Sequence, residues 1–150
     1  MSLLVASLYL LCLAFLFASA LYVFSRGPFS RLNGSYALLA LSLFAWVGSL
    51  FVYNAQTENP ALLWWGRLNF ASVALIAPIV YLFVSILAKT RPSHLLGVGV
   101  ESGILALLAL FTNWVDKSEA VLATGEHITT YGWLFLPYLL HVVIFVGAAL

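Results

Sequence analysis

Long apolar runs separated by short polar stretches set the pattern of this 150-residue chain. The third run reads LLWWGRLNFASVALIAPIVYLFVSILAK from Leu62 to Lys89, opening on Trp64 and Trp65 and closing on a cation. About 20 apolar residues rising 1.5 Å each cover a hydrocarbon layer of roughly 30 Å, and tryptophan settles where its ring is half wet. This run is therefore predicted to be a transmembrane helix over 62–88. The same argument predicts spans over 3–24, 35–53, 95–111 and 131–150. None of the runs alternates with a period of two, so outer-membrane barrel strands are excluded.

Arg26 and Arg31 stand between the first two runs, and Lys89 and Arg91 between the third and fourth. The opposing loops hold only Lys117, while Arg67 lies within a span. Lys and Arg in short loops are retained in the cytoplasm, so the N-terminus is expected outside and the C-terminus inside. Met1-Ser2 lacks the basic start of a signal peptide, and the first run is too long for one. The expected architecture is an all-α polytopic transmembrane bundle of five antiparallel spans, one domain over 1–150. The stretch from Thr112 to Tyr131, TNWVDKSEAVLATGEHITTY, is expected as a polar outer loop. The last run ends in VIFVGAAL with no Lys or Arg at its inner face, which suggests the N-terminal part of a longer chain; the other reading is a small subunit.

Charged residues make up 7% of the chain and hydrophobic ones 64%, against roughly 25% charged in a soluble domain, so lipid is the expected surrounding. The net charge of +1, without a basic cluster, gives nucleic acid no electrostatic footprint. Cys12 is the only cysteine, which rules out a disulfide within the chain, and its apolar run predicts a buried, inert thiol. No P-loop, metal cluster or nucleophile beside a base occurs, so neither catalysis nor a cofactor is expected.

The polar residues within the runs carry the candidate chemistry. Arg67 lies about 8 Å inside its helix end, beside Trp64, Trp65 and Asn69. It either anchors the helix, by snorkelling or by stacking on Trp64, or faces an anionic ligand in a site these four residues build. Glu101 lies some six residues into the fourth span, where a carboxylate needs a proton, a partner or water. His141 differs from it by roughly 6 Å in depth, within reach of a hydrogen bond across facing helices, read either as a structural pair or as a proton-sensitive switch. A second reading makes His141 the ligand of a pigment or haem. Gly99 and Gly103 form a GxxxG pair suited to close helix packing, and Pro78 and Pro137 are expected to kink their helices.

Arg26-Gly27-Pro28 after the first span, Trp46 in the second, and Trp65, Arg67 and Leu68 opening the third form an ordered set. Pro78, Tyr81 and Phe83, then Thr112-Asn113, Gly132 and Gly147, complete it. In this order of features the chain resembles the N-terminal seven-transmembrane sensor region of bacterial histidine kinases, with five of the seven spans. Where that family places a histidine after the Thr-Asn pair, this chain has Trp114-Val115-Asp116. The resemblance implies a receptor module with a cytoplasmic output domain beyond Leu150. Trp64, Trp65, Arg67 and the loop from Asn113 to Tyr131 would then sense, with Pro78 and Glu101 in transmission. Two rival readings remain. One is a subunit of a larger membrane assembly, packed against other helices or a second copy; the other is a proton path resting on Glu101 alone.

Overall fold

The computed structural model describes residues 1–57, 59–91, 94–122 and 126–149. Five helices follow the five apolar runs: α1 (Leu3–Ser25), α2 (Arg31–Ala55), α3 (Asn59–Leu87), α4 (Leu95–Phe111) and α5 (Phe135–Ala149). Between α4 and α5 lies an antiparallel hairpin of β1 (Asp116–Val121) and β2 (His127–Tyr131). Glu58, Pro92 and Leu150, which the sequence places in turns and at the last span's end, lie outside the described residues.

Three helices, α1, α2 and α3, are long and apolar enough to cross a membrane. Helices α4 and α5 are apolar but shorter, at 17 and 15 residues. The expectation of five spans is met in the number of helices among the described residues and, by length and hydropathy, for three of them. It is corrected in the stretch 112–131, where β-branched Ile128, Thr129 and Thr130 favour a strand over a loop. Tyr131 closes that strand instead of opening the fifth helix, and its ring stacks on Phe135, the first residue of α5, with centroids 3.9 Å apart.

Ring pairs show how the helices run. Tyr9 meets Phe51 and Phe17 meets Phe44, so α1 and α2 are antiparallel. Tyr36 meets Phe83, and Asn69 reaches Ser49, so α2 and α3 are antiparallel as well. Helix α3 is the hub, packing against α2, α4, α5 and β1. Alanines let the helices approach: Ala71 and Ala74 of α3 and Ala106 and Ala109 of α4 form one buried cluster with Val115 and Tyr138. Ala20, Ala37 and Ala40 form a second between α1 and α2.

Several finer expectations change. The seam of α4 uses Val98, Ser102, Ala106 and Ala109, whereas a Cβ on Gly99 or Gly103 would meet nothing within 4 Å. The GxxxG pair therefore takes no part in packing among the described residues. Helix α3 continues through Pro78. Pro137 falls in the first turn of α5, where its missing N–H has no helical partner to lose, so the expected cause of a kink is gone. Cys12 is exposed, not buried, because only Ala20 of α1 is fully covered. After α3 the chain turns at Lys89, with φ 55°, while Thr90 N–H bonds Ser85 C=O and Lys89 N–H bonds Ile86 C=O. That left-handed cap ends the helix with a lysine where glycine is usual.

Candidate functional site

The hairpin sits on the end of the bundle formed by the C-terminus of α2, the start of α3 and the loop after α4. Residues an odd number apart on a regular strand face opposite sides. Asp116 and Glu119 nevertheless both turn inward, because the register shifts between Asp116 and Ser118 and the bulge there adds one residue. Lys117 and Ser118 point out. Gly66 of α3 makes the room: a Cβ on it would stand 2.9 Å from Asp116 Oδ2 and 2.9 Å from Glu119 Oε1. Two carboxyl groups thus converge on one turn of α3.

Their surroundings differ. Glu119 accepts the Tyr53 hydroxyl at 2.8 Å on Oε2, and the Thr129 hydroxyl lies 3.0 Å from each carboxyl oxygen. Asp116 is fully buried, and neither of its carboxyl oxygens receives an N–H or a hydroxyl. The Glu119 carboxyl stands beside it, and two carboxyl groups can bond only when one carries a proton. Burial pushes the Asp116 carboxyl up to about 7; the charge of Glu119 adds to this, and the Arg67 guanidinium offsets part of it. Burial also raises Glu119, against the hydrogen bonds from Tyr53 and Thr129.

Arg67 closes the site from α3. One terminal nitrogen donates to Asn113 Oδ1 and, at 3.4 Å, to the backbone carbonyl of Asp116, while its Nε is buried without an acceptor. The guanidinium thus turns toward the hairpin instead of stacking on Trp64, which is 49% exposed, and Trp65 is half-buried. Asn69 donates to Ser49 on α2 and not toward Arg67, so the four expected ligand residues do not converge. Asn69 instead lines a cavity of about 110 Å³ with Tyr53, Gly66, Glu119 and Thr129. The hairpin itself depends on Gly132, where a Cβ would fall 2.2 Å from the carbonyl oxygen of Trp114.

Deeper in the bundle, Glu101 Oε1 lies 3.0 Å from His141 Nδ1, as expected, and His141 Nε2 lies 3.0 Å from Ser102 Oγ. Ser102 is fully buried and His141 nearly so, whereas the Glu101 side chain is 53% exposed. Both ring nitrogens are engaged within the chain. No group of three or more His, Cys, Asp or Glu placed to hold a metal occurs among the described residues.

The sequence reading missed Tyr53, Gly66, Thr129 and Ser102. Only the alternation of HITTY, with β-branched residues in a row, could have signalled a strand that delivers Thr129. No family model, curated protein or solved structure matches the chain. The structure by itself defines a mostly helical protein with three helices apt for a membrane and a buried carboxyl pair under a hairpin at one end.

Proposed function

We propose that this chain is a membrane-embedded sensor module that detects a condition at its hairpin end and passes it to an output domain on the opposite, cytoplasmic side. One observation carries the reading: a single polar seat joins the hairpin to three helices. Tyr53 of α2, Gly66 and Arg67 of α3, and Asn113 after α4 all meet Asp116 or Glu119 or their direct partners. A change in that seat bears on several helix ends at once, as a two-state receptor requires. The seat also joins Arg67 to Asn113, two of the residues on which the resemblance to kinase sensor regions rests. The bias of Lys and Arg among the loops supports an outer position for this end, and the resemblance to kinase sensor regions supports a bacterial inner membrane. The role needs no chemistry from these residues.

The test uses the intact protein in membranes, with its output followed while the medium on the hairpin side is varied. Arg67→Ala is expected to abolish or lock the response, and Glu101→Gln to weaken it. An unchanged response in both variants would sink the assignment.

A second reading, a subunit of a larger membrane assembly, draws on the outward face of α4. Leu96, Val100, Ile104 and Leu107 are exposed there beside Glu101. Copurification with other membrane proteins in fixed stoichiometry supports this reading, and a lone chain in mild detergent removes it.

A further inference from the structure

We propose that Asp116 and Glu119 form a proton-binding site: one proton shared between their carboxyl groups holds the hairpin on Gly66, and its loss releases the hairpin. The inference deepens the sensor reading and rests on it only for the use to which the proton is put.

The geometry selects a proton over other cations. The Tyr53 and Thr129 hydroxyls already occupy two of the roughly four lone-pair sites of the Glu119 carboxylate and leave room for one further donor. A hard metal ion would need about six oxygen ligands, and among the described residues no group of three or more His, Cys, Asp or Glu is placed to hold one. Asp116 lacks any donor although it is fully buried, and an unpartnered buried carboxylate is unfavourable. A proton on Asp116, donated to Glu119, satisfies both groups.

Charge leads to the same answer. Tyr53 from α2, Arg67 from α3 and His127 from β2 face the pair. Tyr53 is neutral and a donor. Arg67 balances one carboxylate, and His127 acts on Glu119 from the rim, with its ring 5.0 Å from that of Tyr53. With Arg67 fixed, one negative charge is left over when both acids ionise. They then repel across the turn at Gly66, where a Cβ would stand 2.9 Å from an oxygen of each. Lifting the hairpin relieves the repulsion and frees Tyr53 at the end of α2.

Asp116 is the only aspartate in the sequence, so aspartate labelled with ¹³C at its carboxyl carbon gives one resonance. In the full chain in nanodiscs that resonance is expected to titrate near neutral pH. Glu119→Gln is expected to lower the midpoint by about one pH unit or more, and Arg67→Gln to raise it. Amide hydrogen exchange, corrected for its intrinsic pH dependence, is expected to show β1 and β2 opening above the midpoint, and Asp116→Asn is expected to keep them protected. A midpoint in the ordinary carboxylate range, or hairpin exchange independent of pH in the wild type, overturns the proposal. Neither readout requires an output domain. If Asp116 titrates as expected while the intact protein's output ignores external pH, the proton site stands and its role as the sensed signal falls.

Discussion

Gly66 leaves the space that Asp116 fills: a methyl group on Gly66 would sit 2.9 Å from Asp116 Oδ2. Gly66→Ala therefore pushes on the carboxyl oxygens of both Asp116 and Glu119. We expect it to destabilise the protein by about 1–3 kcal/mol, the usual range for overpacking. Thermal unfolding in detergent checks this. Gly132→Ala should be worse, because the obstructing atoms there are the backbone of Asn113 and Trp114, which cannot swing aside.

Tyr53→Phe removes the shortest hydrogen bond to Glu119 and leaves that buried carboxyl with Thr129 as its one hydroxyl donor among the described residues. The expected loss is about 1–3 kcal/mol, the range for a buried acceptor deprived of its donor. Hydrogen exchange should localise the effect to β1 and β2. Equal protection in mutant and wild type would show that the Tyr53 hydroxyl does not hold the hairpin.

Stability should fall with rising pH. Both Asp116 and Glu119 are raised in the folded chain, so the folded state binds more protons than the unfolded one between their ordinary range and the raised values. Their contribution is complete in acid and is lost as pH rises through about 7 for Asp116. Asp116→Asn should unfold at a higher temperature than wild type at about pH 8 and show a smaller difference at about pH 5. Melting curves of both proteins across that range decide it.

Ser102 depends on His141, since the serine is fully buried and the imidazole Nε2 is 3.0 Å from its hydroxyl. His141→Leu deprives that hydroxyl of a side-chain partner and is expected to lower stability by about 1–3 kcal/mol. Glu101→Gln should change it little, because that side chain is half exposed and an amide can still bond to the imidazole. Equal losses in the two variants would contradict this ranking. A rise in stability for His141→Leu would do so too.

The number of helices, their boundaries within a few residues and the Glu101–His141 pair followed from the one-dimensional pattern. Apolar length and the depth of a residue along a helix are local quantities, and 1.5 Å per residue converts one into the other. Cys12 shows where that arithmetic stops. An apolar run fixes that a helix is apolar all round but not which side meets a neighbour, and α1 turns Cys12 outward. The glycines show it again, with Gly99 and Gly103 in open space and Gly66, which no motif marks, against both carboxyl groups of the site.

What the sequence determined by itself was the set of helices and the polar, acidic character of the stretch from Thr112 to Tyr131. Only the tertiary structure decided that Asp116 and Glu119 would face each other. On a regular strand the two point apart, and it takes a one-residue bulge and a helix without a side chain at Gly66 to bring them together. Tyr53 and Thr129, 76 residues apart in sequence, are then placed to complete the seat. Such a site is made by register and close approach between distant segments, and those depend on how the segments pack, not on the local pattern of any one of them.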